Sequence, residues 1–201
     1  MTTLKMYKVH PDVQIPKHQT TQSACFDLAF SSAGKGIYTG YSNFNKPFTR
    51  QTKGSITIAP GERVLIPTGL IMDIPEGYSV RLHARSGTSL KQGIVLANAE
   101  GVIDSDYVEE VMVILHNISG NAITINSGDR IAQAELVKNV EYVVEQTPAR
   151  PVPKTQRIGG FGSTGITTTP NMVVINIPKP QPKQVVEPVV KRGRGRPRKN
   201  G

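Results

Sequence analysis

The sequence predicts an all-β domain of sandwich or barrel type, on three observations. Short runs rich in β-branched residues recur through the first 144 residues, and Gly and Pro stand between them. Apolar residues at helical spacing are nowhere sustained for more than about two turns. Hydrophobic residues make up 37% of the chain and aromatics 5%, with no Trp, which supports a core with few large rings.

Ser55–Ala59, Arg63–Pro67, Leu70–Ile74 and Tyr78–Leu82 read as four separate strands, punctuated by Pro60-Gly61, Pro67, Gly69, Pro75 and Gly77. Val111–Leu115, Ala122–Asn126 and Ile131–Val137 continue the pattern. The best helical candidate is Ser86–Lys91, one or two turns. Residues 31–53 are rich in Gly, Ser, Asn and Lys and read as an inserted surface loop. Its aromatics, Tyr38, Tyr41, Phe44 and Phe48, either pack the loop down or face a partner. The β-domain is expected to span 1–144. Residues 145–165 follow, first a semi-extended arm carrying Pro148, Pro151 and Pro153, then a glycine-rich lid. The Thr-, Pro- and Lys-rich stretch 166–201 is expected to be a disordered basic tail.

The net charge of +9 is unevenly placed: residues 166–201 carry 8 Lys/Arg against one Glu, and residues 1–165 are nearly balanced. Any electrostatic argument for nucleic acid therefore concerns the tail and not the fold. Within the tail, Lys191–Lys199 contains Arg194-Gly195-Arg196-Pro197, which resembles the core of an AT-hook, a narrow basic strand for an A·T-rich minor groove. A generic basic arm attracting phosphate is the plainer alternative. No segment approaches the roughly 20 apolar residues of a membrane span, and the N-terminus has no apolar stretch of signal-peptide length. Cys25 is the only cysteine, so no intrachain disulfide forms and a reducing, intracellular compartment is expected, cytoplasmic, or nuclear or DNA-associated through the tail.

Gly101–Glu109 places Asp104 at the tip of a short turn between two apolar strand-like runs, with Tyr107 three residues on. A carboxylate among apolar neighbours suits a base that activates water. Arg85-Ser86-Gly87 follows a strand and opens a helical turn, where free N–H groups, a hydroxyl and a guanidinium fork suit a phosphate; a surface Arg beside a Ser cap is the bland reading. Gly159–Gly165 holds four glycines around Phe161, Ser163 and Thr164, and suits wrapping an anion or serving as a linker. Asp104 and Asp106 are either a metal pair or a polar turn. Asp27 lies between apolar residues, and Gly128-Asp129-Arg130 reads as a hairpin turn with Gln133 in the strand beyond. His10, His18, His83 and His116 show no metal-ligand spacing and no Cys–His cluster is visible, so zinc chemistry finds no support in the spacing.

Taken in order, Ala24–Leu28, Ala84–Gly87, Asn98–Tyr107, Gly128–Gln133 and Gly159–Gly165 resemble the five motifs of the trimeric dUTPase family over residues 20–165. The resemblance implies a distorted jelly-roll or β-barrel homotrimer that hydrolyses dUTP to dUMP and pyrophosphate with Mg²⁺. Its sites would be shared among subunits, the glycine-rich arm coming from a neighbour. By that resemblance Asp104 orients and deprotonates the attacking water, and Arg85, Ser86, Gly87 and Gln133 hold phosphate oxygens. Asn98 and the backbone of Val102, Ile103 and Asp104, with Met112, line the uracil pocket. Tyr107 packs on the deoxyribose and Arg157 reaches the γ-phosphate. Phe161 covers the uracil, and Gly162, Ser163 and Thr164 close over the phosphates. Asp27 holds Mg²⁺ through water. The chain departs from the family pattern at Cys25 and Glu109, which stand where Gly is usual, and in the four-residue spacing of Arg157 from Phe161, usually five. The rival readings are a related dCTP deaminase, or a DNA-binding regulator on the same fold.

Overall fold

The structure is a computed structural model that describes residues 2–155 and 159. Twelve strands and one short helix make up the described elements: β1 (Lys5–Lys8), β2 (Phe26–Ala29), β3 (Ile37–Tyr41), β4 (Pro47–Gln51), β5 (Ser55–Ile58), β6 (Arg63–Asp73), β7 (Tyr78–His83), α1 (Ser86–Gln92), β8 (Ile94–Leu96), β9 (Gly101–Ile103), β10 (Glu110–Asn117), β11 (Ile123–Asn126) and β12 (Arg130–Lys138). The chain divides at Glu145/Gln146. In the second unit the described residues are exposed and hold no helix or strand.

Three sheets build the first unit. A six-stranded sheet runs β4-β3-β6-β10-β8 with β1 also on β6, a four-stranded sheet runs β2-β12-β7-β9, and β5 pairs with β11. Alternation drives the burial. In β10 the side chains of Val111, Val113, Leu115 and Asn117 point inward, while Met112 and Ile114 point out. They meet Leu28, Phe30, Ile58, Val64, Ile66 and Val80 in one contiguous core. Asn117 sits wholly inside it with its amide satisfied, donating to the carbonyls of Ile58 at 2.9 Å and Asn121 at 2.7 Å.

Three local expectations need correction. The runs Arg63–Pro67 and Leu70–Ile74 are not two strands but one, β6. Along one edge of β6 the β3 ladder ends at Leu65 and the β1 ladder begins at Leu70. Pro67, which has no N–H to offer, falls in the gap. Gly69 is required there: its φ is +73, and a Cβ would lie 2.5 Å from Val13 Cγ2.

Residues 31–53 are likewise not simply a loop, since β3 and β4 form a hairpin at the sheet edge. Its aromatics divide. Tyr38 is buried and stacks edge-on against Phe48, whereas Tyr41 and Phe44 are exposed. Finally, β9 pairs with β7 and not with β10, so residues 104–109 cross from one sheet to another instead of closing a hairpin. Gly101 makes this approach possible, because a Cβ there would meet the Leu82 side chain at 2.9 Å.

The inserted hairpin is pinned by an ion pair between a buried carboxylate and a half-exposed guanidinium. Glu62, 5% exposed, takes both arms of the Arg50 guanidinium, one at 2.8 Å, and the Ala59 N–H at 2.9 Å. The Arg50 fork, aided by the Ala59 N–H, holds the Glu62 carboxyl below the ordinary 4.5 in spite of burial. A lowered carboxylate pKa contributes stability above its unfolded value, and that stability is lost as pH falls through the folded value. We expect Arg50→Ala to cost about 2–3 kcal/mol at neutral pH, since it strands a buried charge beside a half-exposed partner. The variant should also be less sensitive to acid than the parent below the ordinary glutamate value. Urea melts at several pH values read both effects.

Candidate active site

Register across the four-stranded sheet assembles the first half of the site. Gln133 of β12 stands opposite Asp27 of β2 on one side and His83 of β7 on the other. Opposed residues project from the same face of a sheet, so three distant stretches of sequence meet. Arg85 keeps an extended backbone (φ −85°, ψ 127°) and begins α1 as its N-cap. Its Nε donates to Asp27 Oδ1 at 2.8 Å and its Nη1 to the Arg130 carbonyl at 3.1 Å. Arg130 Nη1 donates to Asp27 Oδ2 at 3.0 Å. One half-buried carboxylate thus holds two guanidiniums, whose remaining N–H groups can serve an anion, with Asp129 on the wall of the adjoining cleft. Ser86 and Gly87, both exposed, open α1 with N–H groups that have no intrahelical acceptor. A cleft of about 260 Å³ is lined by Arg85, Arg130, Thr88 and Thr124 among others.

Arg130 was not singled out from sequence, where Gly128-Asp129-Arg130 read as a turn. The available signal was Asp27, a carboxylate between two core residues that needs a cationic partner.

The second half lies elsewhere. Asn98 is exposed in the turn after β8. The Ala97 N–H bonds to Ile114 O, which sets Asn98 beside the outer face of β10, where Met112 and Ile114 project. Asn98 also lines a cleft of about 990 Å³ with Tyr41, Phe48, Arg63, Leu65 and Ile114. Val102 is exposed and Ile103 packs against the core. Asp104 follows at the end of β9, exposed. Tyr107 closes the turn with its N–H on Asp104 O at 3.2 Å and its hydroxyl on Glu110 O at 3.0 Å. Glu109 carries no backbone strain, for Asn45 and Ala99 are the described non-glycine residues with positive φ.

One chain does not bring the two halves together. Val80 pairs with Ile103, so Asp104 stands abreast of Ser79. Arg85 lies six residues further along the extended backbone, a separation of about 20 Å at roughly 3.3 Å per residue.

Beside the Asp27–Gln133–His83 row lies a group that the spacing of histidines concealed. Cys25, His83 and Glu135 place their Sγ, ring-nitrogen and carboxylate donors within 4.8 Å of one another. The expectation that no Cys–His cluster exists is therefore corrected, because sheet register, not local spacing, joins these residues. Burial above all, then the carboxylates of Glu135 and Asp27, pushes the Cys25 thiol up. Arg157, Phe161, Gly162, Ser163 and Thr164, with the tail, lie outside the described residues. Among the described residues no helix is long and apolar enough to cross a membrane.

An all-β body that gathers two guanidiniums, a carboxylate and an amide at one end of a sheet has the donors of an anion-binding protein. The comparisons make the class specific. The family model described as dUTPase matches residues 51–165. A deoxyuridine 5'-triphosphate nucleotidohydrolase of Heliobacterium modesticaldum is 34% identical over 83% of this chain and 99% of its own length. One from Finegoldia magna is 45% identical over 57% of this chain and 79% of its own. Among solved structures, a variant of the Staphylococcus bacteriophage 80alpha dUTPase with dUpNHpp superposes with a TM-score of 0.65 at 21% identity. That match covers 83% of this chain and 100% of that one, and shows a shared fold. The chain belongs to the dUTPase family.

Proposed function

We infer that this chain hydrolyses dUTP to dUMP and pyrophosphate, and that its working form is a homotrimer in which each site is completed by neighbouring copies. Family membership supports the reaction. The shared site rests on one observation: Asp104 and the Arg85–Asp27–Arg130 cluster lie at opposite ends of β7, and Asp104 is exposed. Two copies related by rotation can bring one chain's Asp104 to the other's guanidiniums.

In this reading Arg85, the Ser86 hydroxyl, the Gly87 N–H and the Gln133 amide donate to phosphate oxygens, fixing the α-phosphorus in line for attack. Asp104 accepts the proton of the attacking water. Asn98 and the backbone of Val102 to Asp104, with Met112, receive the uracil, and Tyr107 packs on the deoxyribose. Arg157, Phe161, Gly162, Ser163 and Thr164 close over the phosphates and exclude water.

The donor set fits Mg²⁺ arriving on the substrate: Asp27 already gives both oxygens to guanidiniums, which leaves it to hold the hydrated ion through water and not directly. The ion supplies charge neutralisation to the triphosphate. One solved dUTPase, from Staphylococcus aureus phage phi11, is described with a structural Mg(II) ion.

Pyrophosphate release measured with dUTP and the four common deoxynucleoside triphosphates tests the assignment. Turnover should favour dUTP over dTTP by more than the roughly 10–200-fold that one methyl yields in a tolerant pocket. Release of ammonia from dCTP without pyrophosphate would overturn the assignment in favour of a deaminase.

The tail carries a separate proposal, supported by its sequence: Arg194–Pro197 tethers the trimer to A·T-rich DNA, three tails adding avidity, in an intracellular enzyme. Deleting residues 185–201 should abolish DNA binding and its steep salt dependence while leaving dUTP turnover intact. An unchanged DNA affinity would refute the tether.

A further inference from the structure

We propose that Cys25, His83 and Glu135 form a Zn²⁺-binding site, chemically distinct from the Mg²⁺ that accompanies the triphosphate. Three strands build it. Phe26 pairs with Ala134, so Cys25, one residue before, stands abreast of Glu135. His83 pairs with Gln133, two residues from Glu135 on the same face. All three residues are partly buried, and their donor atoms lie within 4.8 Å of one another.

A tetrahedral zinc centre with bonds of about 2.0–2.3 Å puts its donors roughly 3.3–3.7 Å apart. His83 Nε2 and Glu135 Oε1 share a hydrogen bond at 3.1 Å, so Zn²⁺ would take the place of that proton, and the Cys25 Sγ, within 4.8 Å of both, would close by about 1 Å. The other ring nitrogen faces a carboxylate: Nδ1 lies 3.7 Å from Glu100 Oε1, too far for a hydrogen bond but within reach of one after a small side-chain shift, and Arg81 Nη1 lies 3.5 Å from Glu100 Oε2. A carboxylate behind the distal nitrogen is the arrangement that orients metal-binding histidines.

Ligand chemistry selects the ion. One sulfur, one imidazole and one carboxylate suit Zn²⁺, whereas Mg²⁺ takes oxygen donors and keeps its waters. Asp27 does not compete, because Arg85 and Arg130 hold both its oxygens. Three protein donors leave a fourth position for water or an added ligand. The site stands on register and donor type alone and does not depend on the reaction assigned above.

Co²⁺ added to the tag-free full-length protein in excess Mg²⁺ tests it. One equivalent per chain should give the thiolate-to-cobalt charge-transfer band in the near ultraviolet and the intense visible bands of four-coordinate cobalt, and Zn²⁺ should displace both. Cys25→Ser should lose the charge-transfer band, and His83→Gln and Glu135→Gln should each weaken Zn²⁺ binding tenfold or more. In the unmutated chain, Zn²⁺ but not Mg²⁺ should protect Cys25 from alkylation, a readout that survives if a variant fails to fold. No charge-transfer band in the parent protein, no protection of Cys25, or unchanged Zn²⁺ affinity in Cys25→Ser would each overturn the site.

Discussion

Asp104→Asn should lower kcat for dUTP hydrolysis by about 10²–10⁴-fold, the range that a positioned general base contributes. That corresponds to roughly 3–5 kcal/mol of transition-state stabilisation. The substitution is clean for structural reasons. Asp104 is exposed, so an amide of the same shape neither opens a cavity nor strands a buried group. The turn survives too, because Tyr107 bonds to the backbone carbonyl of residue 104 and not to its side chain.

Asn is as good a turn former as Asp, so if Asp104 serves only the turn, kcat will not change. Binding should persist, since Arg85, Ser86, Gly87 and Gln133 are untouched and one negative charge near the triphosphate is gone. Single-turnover kinetics with dUTP and calorimetry with a non-hydrolysable analogue separate the two quantities. Turnover within tenfold of the parent would end the assignment of Asp104 as base.

The sequence displayed the strands whose apolar residues alternate: β5, β7, β10, β11 and β12 were all legible within a residue or two. Three kinds of feature were not. The strand β4 forms the sheet edge and begins with Pro47, and β3 joins it to β6; both show a weak apolar pattern that the Gly- and Asn-rich surroundings mask. β6 was cut in two at Pro67 and Gly69, because the rule that these residues break strands assumes both neighbours pair continuously. The third kind is register. From motif resemblance Arg85 and Gln133 could be named as candidates to hold phosphate, and Asp27 as a candidate to hold Mg²⁺ through water. Their meeting at one row, the capture of Asp27 by Arg130, and the approach of Cys25 to His83 and Glu135 follow from which residue of β12 faces which residue of β2 and β7. Nothing local in the chain encodes that pairing.

Mixing two inactive variants should restore activity, and this is the sharpest consequence of the proposed shared site. Arg85→Ala removes the guanidinium that clamps Asp27 and is proposed to hold phosphate, and Asp104→Asn removes the carboxylate proposed as base at the far end of β7. Each variant alone should be nearly inactive. If a site takes Asp104 from one copy and Arg85 from the next, then co-refolding equal amounts leaves some sites with both native residues. Random assembly gives each site an even chance of an intact Asp104 and, independently, of an intact Arg85, so about one quarter of parental activity should return. A chain that carried both residues of its own site would behave otherwise, since no mixture of singly defective chains could build an intact centre. The roughly 20 Å between the two positions exceeds the reach of an arginine already tied to Asp27 and the Arg130 carbonyl. A refolded mixture no more active than its components, with hetero-oligomers confirmed by mass, would refute the shared site while leaving the role of Asp104 to its own test.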